Sequence, residues 1–206
     1  DFQTMTHPLL PRLLPCAALS LAALLPAPAA LAQEKVLRIA MTAADIPRTL
    51  GQPDQGFEGN RFTGIPMYDA LTHWDLSKAD AASLLIPGLA TSWAVDAKDK
   101  TKWVFKLRPG VKFHDGETFD AAAAKYSLER HLNMKGSFRR PELASVVSID
   151  VVDPTTVKLN LKEPFSPLLA QLTDRAGMMV SPKAAEAAGD KFGLKPVCAG
   201  PYKFVE

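Results

Sequence analysis

The chain has 206 residues, of which 47% are apolar and 22% charged, so it carries enough apolar material for a buried core. Its 24 basic and 22 acidic side chains leave a net charge of +2, too balanced for a nucleic-acid-binding surface or an anionic-membrane anchor.

Residues 1–32 read as a cleavable export leader that starts at Met5. Arg12 supplies a positive charge, Cys16 to Leu25 is an apolar run, and Pro26 and Pro28 break it. Ala30-Leu31-Ala32 then matches a small-residue cleavage pattern, with the cut between Ala32 and Gln33. The run is shorter than the roughly 20 residues a spanning helix needs. Cys16 opens the run where a lipid-anchor cysteine would close it, so it is expected to leave with the leader. That strands Cys198, which must be buried, free, or paired with something beyond Glu206.

Lys35 to Met41 alternates and is expected to be a first strand. Thr42 to Asn60 is a polar, glycine-rich connection, long enough to suggest a function. Arg61 to Leu71 reads as a helix weakened by Gly64 and Pro66. Leu85 to Trp93 is a turn and a short strand, and Lys102 to Leu107 is a strand with Trp103, Phe105 and Leu107 on one face. Trp93 and Trp103 flank the charged turn between them as a hairpin pair would. Asp115-Gly116 marks a tight turn. Thr118 or Asp120 caps a helix from Ala121 to Leu132. Val146 to Val152 and Thr156 to Leu161 form a second hairpin. Pro164 opens a helix reaching Leu172, Met178 to Ser181 is extended, and Ser181-Pro182 starts a helix that Gly189 ends. Tyr202 to Val205 starts a last strand. The middle of the chain looks complete, while the regions near its two ends look like an unfinished sheet.

No catalytic residues stand out. There is no G-x-S-x-G elbow, and Cys198 has no local partner among His73, His114 and His131. Those histidines are scattered, with no metal-ligand spacing, and no phosphate-binding glycine loop follows a strand. His114 reads as a turn residue with local hydrogen bonds. The 42–60 connection alone offers ligand chemistry. Asp54, Gln55, Glu58 and Arg61 are polar, Phe57 and Phe62 can stack, and glycines such as Gly56 let backbone approach closely. A surface loop merely covering the domain would look the same.

Leu85 to Trp93, Trp103 to Gly116, Phe119-Asp120-Ala121, Tyr126-Ser127-Leu128, Pro164 to Leu169 and Pro196 to Phe204 together resemble the extracellular solute-binding proteins, family 5. These are dipeptide-, oligopeptide- and nickel-binding proteins of ABC importers. Cys198-Ala199 stands where many members have Gly-Thr, and the Gly51 to Gly59 stretch departs from the usual loop. The resemblance implies an α/β fold, a type II periplasmic-binding-protein clamshell with an extra inserted α/β domain, of which this is the N-terminal part. Residues 33–68 would begin lobe one, 69–174 would be the inserted domain, and 175–206 would return to lobe one. It further implies a non-enzymatic, periplasmic receptor without a cofactor or metal, monomeric when full length. Its partners would be a peptide or small solute and an ABC permease and ATPase complex, with no nucleic acid. By position in the family, Asp54, Gln55, Gly56, Phe57 and Glu58 would contact the ligand. The same scaffold could instead carry a nickel chelate, glutathione, heme or an opine. A secreted enzyme with its active site elsewhere is the reading from another class.

Overall fold

A computed structural model describes residues 36–42 and 57–205. The chain divides into two units, Asp1–Ile39 and Ala40–Glu206. In the first, residues 36–39 are exposed and irregular. The expected strand over Lys35 to Met41 does not form within the described residues. Alternation confers the capacity for a strand, but a ladder needs a partner edge, and none of the described strands pairs with this stretch. The expected leader and its Ala32–Gln33 cleavage point lie outside the described residues.

The second unit opens with a helical stretch in three parts: α1 (Phe57–Gly59), a π-helical segment (Asn60–Gly64) and α2 (Ile65–Met67). Pro66 has no N–H for the carbonyl four residues back, and the preceding turn widens so that the Ile65 N–H reaches Asn60 O. Helix therefore ends at Met67, short of the expected Leu71. The next residues instead form strand β1 (Thr72–Trp74), which pairs antiparallel with β2 (Leu85–Pro87).

The main sheet has four strands in the order β3 (Ala90–Val95), β4 (Lys102–Leu107), β6 (Thr156–Leu161), β5 (Val146–Asp153). All its pairs are antiparallel. Both expected hairpins are present, but Trp93 lies opposite Phe105 and Trp103 opposite Val95, so the two tryptophans are not a direct pair. One face of the sheet buries Phe105, Leu107, Val157 and Leu159 against α3 (Ala121–Asn133). Asp120 caps α3, accepting from Ala123 N at 2.9 Å. Ala121, Ala124 and Leu128 are its buried stripe.

The rest of the chain packs behind α3. The proline-rich lead-in shortens the expected 164–172 helix to α4 (Leu168–Gln171). A 3-10 turn (Arg175–Gly177) follows, then an extended run, then α5 (Pro182–Ala188), capped by Ser181. A 3-10 segment (Gly189–Leu194) continues from it. The extended run is bound to the stretch before β1: Met179 N donates to Asp69 O at 3.1 Å and Leu71 N to Gly177 O at 3.1 Å. A second buried cluster gathers Tyr68, Met178, Val180, Ala185, Phe192 and Cys198. Tyr202 to Val205 is not a strand. Its start instead runs beside α2, with Gly200 N donating to Met67 O at 2.9 Å and Tyr202 N to Pro66 O at 3.1 Å.

Candidate functional site

Of the five expected ligand contacts, Asp54, Gln55 and Gly56 lie outside the described residues. Phe57 is the first residue of α1, and Glu58 follows it in solvent. Glu58 accepts from Arg61 at 3.3 Å, a pair with 49% and 66% exposed side chains that contributes little to stability.

The same helical stretch reaches a partly buried cluster of charge. Asn60 Nδ2 donates to Asp174 Oδ1 at 3.0 Å. The other Asp174 oxygen lies 3.6 Å from the Arg175 guanidinium. Arg139 donates to Glu142 at 2.5 Å. The Arg139 and Arg175 side chains are only 7% and 10% exposed. Burial holds the Glu142 carboxyl above its ordinary range; the Asp174 charge adds to the shift, while Arg139 and Arg175 oppose it. Two cations and two carboxylates thus meet at the end of the nominated connection. The charges are matched within the set, Arg139 to Glu142 and Arg175 to Asp174, and Asp174 is its most exposed member.

Local sequence explains the placement of each member. Asp174 and Arg175 follow α4 where the chain turns sharply. A Cβ at Gly177 would lie 1.9 Å from Leu172 O, so only glycine allows that turn. Arg139 and Glu142 sit on the turn between α3 and β5, tied back by the Ser137 hydroxyl, which donates to His131 O at 2.6 Å. Nothing in the sequence marks Asn60, Arg139, Glu142, Asp174 and Arg175 as a group. They come from three segments far apart in the chain, and no spacing rule joins them.

The remaining reactive side chains sit in settings unlike catalytic ones. Cys198 is buried, and burial pushes its thiol far up, only partly opposed by a hydrogen bond from Tyr68. His131 is buried on α3 with Nε2 3.1 Å from Met178 O, and burial lowers its pKa to about 4. His73 pairs with Asp69 at 2.7 Å beside a largely apolar cavity of about 330 Å³, which Ile65, Tyr68, Trp74 and Ile86 help to line. A larger cavity of about 520 Å³ lies between α3 and α5, lined by Tyr126, Arg130 and Glu186 among others, and shares no residue with the ionic cluster. Among the described residues, no group of three His, Cys, Asp or Glu side chains could hold a metal ion. Nor is any described helix long and apolar enough to cross a membrane. His114 departs from its expected local role: its ring reaches Gly200 O at 2.8 Å, 86 residues away in sequence.

Residues 85–206 match the profile of the bacterial extracellular solute-binding proteins, family 5, middle region. The chain belongs to that family. Among curated relatives, the glutathione-binding protein GsiB of Pectobacterium atrosepticum is 38% identical over 160 residues, covering 71% of this chain and 30% of that protein. The chain thus spans about a third of the length of the curated relatives it matches. Among solved structures, the periplasmic binding protein AgaA of A. tumefaciens R10, in complex with agropinic acid, superposes with a TM-score of 0.67. It is 31% identical and covers 77% of this chain and 30% of that one. The ABC transporter-associated periplasmic binding protein DppA of Helicobacter pylori, in complex with the peptide STSA, gives a TM-score of 0.62. It is 26% identical, with 74% and 33% covered. The fold is accordingly that of a type II periplasmic binding protein, in part.

Proposed function

We propose that this chain is the N-terminal part of a periplasmic receptor that captures a short peptide between two closing lobes and delivers it to an ABC permease and its ATPase. Family membership supports the class, the relatives named glutathione-binding and the neighbour in complex with the peptide STSA support a peptide-like ligand, and the ionic cluster at Asn60, Arg139, Glu142, Asp174 and Arg175 is the candidate contact region on this chain. A peptide is a zwitterion, and this cluster holds both signs of charge, with the two arginines buried and the carboxylates more exposed. Asp54, Gln55, Gly56, Phe57 and Glu58 would lie against the ligand from the side of the connection that leads into α1. Glu58 or Asp54 would take the peptide's amino group, and Phe57 would pack on its side chains. Ligand stabilises the closed state because only that state contacts it from both sides. Residues 33–68 and 175–206 would belong to lobe one and 69–174 to the inserted domain, in a protein that is exported, monomeric and not an enzyme.

Glutathione, a tripeptide with an extra carboxylate, is the first ligand to try, given the relatives named glutathione-binding. Nickel chelates, heme and opines are the alternatives on the same scaffold. Titrating the whole protein with reduced glutathione, dialanine, a nickel–histidine complex, heme and an opine separates them. Phe57→Ala and Glu58→Ala should each weaken the ligand that binds. Unchanged affinity in both variants would remove the 54–58 stretch from the site.

A further inference from the structure

The turn containing His114 is built to project side chains away from itself. Phe113 N donates to Glu117 O and Gly116 N to Phe113 O, both at 2.9 Å, and Gly116 adopts a φ of 87° in open space. Its polar side chains bond to distant segments. Asp115 accepts from the Ser181 hydroxyl at 2.6 Å, Glu117 from Lys183 at 2.6 Å, and the His114 ring bonds to the segment around Gly200.

The hydrogen-bond directions fix the ring's tautomer. Gly200 O can only accept, so His114 Nε2 carries the proton and donates at 2.8 Å. Cys198 N–H can only donate, so Nδ1 is bare and accepts at 3.4 Å. The backbone adds a third link, with His114 N donating to Cys198 O at 2.8 Å. Gly200 is in turn pinned from its other side, where its N–H donates to Met67 O at 2.9 Å. A Cβ there would lie 2.5 Å from Met67 C and 2.6 Å from Pro66 O, so the two backbones are in direct contact.

One residue, Gly200, therefore joins the His114 turn to the end of α2. The helical stretch from Phe57 to Met67 is held at its C-terminal end by Gly200 and nearer its start by the Asn60–Asp174 bond. We propose that His114 is a positioning residue for the ligand site: its Nε2–H fixes Gly200, and Gly200 fixes the helical stretch that carries Phe57, Glu58 and Asn60. His114 itself touches no ligand. This inference rests on the peptide-capture reading only for its effect on affinity.

The test compares His114→Gln, His114→Asn and His114→Ala in the whole protein. Glutamine places an N–H donor near the position of Nε2, whereas asparagine places an acceptor near that of Nδ1. Amide hydrogen exchange at Gly200 and Tyr202 should quicken about tenfold in His114→Ala and His114→Asn, the expected effect of a lost hydrogen bond, and stay near wild type in His114→Gln. Affinity for reduced glutathione and dialanine should follow the same order. Asp120→Ala, which uncaps α3 elsewhere, should lower Tm and leave affinity unchanged. Equal behaviour of the Gln and Asn variants, or unaltered exchange at Gly200 in His114→Ala, would overturn the proposal. If neither probe binds the wild-type protein, the capture reading fails, while the exchange pattern still decides the role of His114.

Discussion

Asn60 and Asp174 are 114 residues apart in the chain, yet the Asn60 amide donates to the Asp174 carboxylate at 3.0 Å. That bond ties the helical stretch leading out of the 42–60 connection to the carboxylate that lies beside Arg175. Asn60 Oδ1 is buried without a hydrogen-bond partner among the described residues. Replacing Asp174 by Ala leaves the Asn60 amide without this acceptor and Arg175 without this carboxylate. The expected cost is about 1 kcal/mol in stability, as for an ordinary hydrogen bond. On the proposed peptide-capture reading, the expected loss of ligand affinity in the whole protein is larger, about tenfold, because Arg175 loses the carboxylate beside it. Denaturant unfolding and titration on one preparation measure both.

His131 should make the fold acid-sensitive. Its folded pKa, about 4, lies below the ordinary 6.5, so the unfolded chain binds more protons between those values. The neutral ring's contribution is complete above pH 6.5 and is lost as pH falls toward 4. Over that window it amounts to about 3 kcal/mol. Unfolding free energy measured from pH 7 to pH 4 should fall accordingly. His131→Gln should show a shallower slope even if it is less stable at neutral pH.

Gly200 and Gly110 should respond differently to alanine. At Gly200 a Cβ meets backbone of Pro66 and Met67 within 2.6 Å, and backbone cannot swing aside. A loss of about 1–3 kcal/mol is expected there, the range for overpacking. At Gly110 nothing lies within 4 Å, and the cost comes only from its φ of 76°. About 1 kcal/mol is expected for that. Thermal unfolding of the two variants should preserve this order.

Cys198 is 0% exposed, so its labelling should report unfolding rather than surface chemistry. Iodoacetamide should modify it at the rate of opening in native protein and promptly in denatured protein. Rapid labelling under native conditions would contradict its burial against Tyr68 and Phe192.

Local signals in the sequence were good guides where an element carries its own punctuation. Asp120 before an alanine run, Ser181-Pro182 with Gly189, and the alternation of Trp103, Phe105 and Leu107 all mark elements that the structure contains. They fail where a distant partner decides. Val36 to Met41 alternates like a strand and finds no ladder among the described residues, and Tyr202 bonds to Pro66 of α2 instead of starting a strand. Leu71 sits in a helical pattern, yet its N–H is taken by Gly177 O and its chain turns into β1. The site shows the same division. The long connection stood out by length and composition, whereas the polar and charged groups beside it converge from residues 60, 139–142 and 174–175. Only tertiary packing brings those together. His114 was visible as a turn residue, but its bond to Gly200 depends on the path of a segment more than eighty residues later.

On the proposed reading, the whole protein holds a peptide-like solute reversibly and leaves it unchanged. Isothermal titration with reduced glutathione and short peptides, followed by recovery of the solute, tests this most directly. Saturable binding of one solute per protein, with the solute recovered intact and affinity reduced by Arg175→Ala, is the predicted result. Absence of binding across that panel, or recovery of a chemically altered solute, would contradict it.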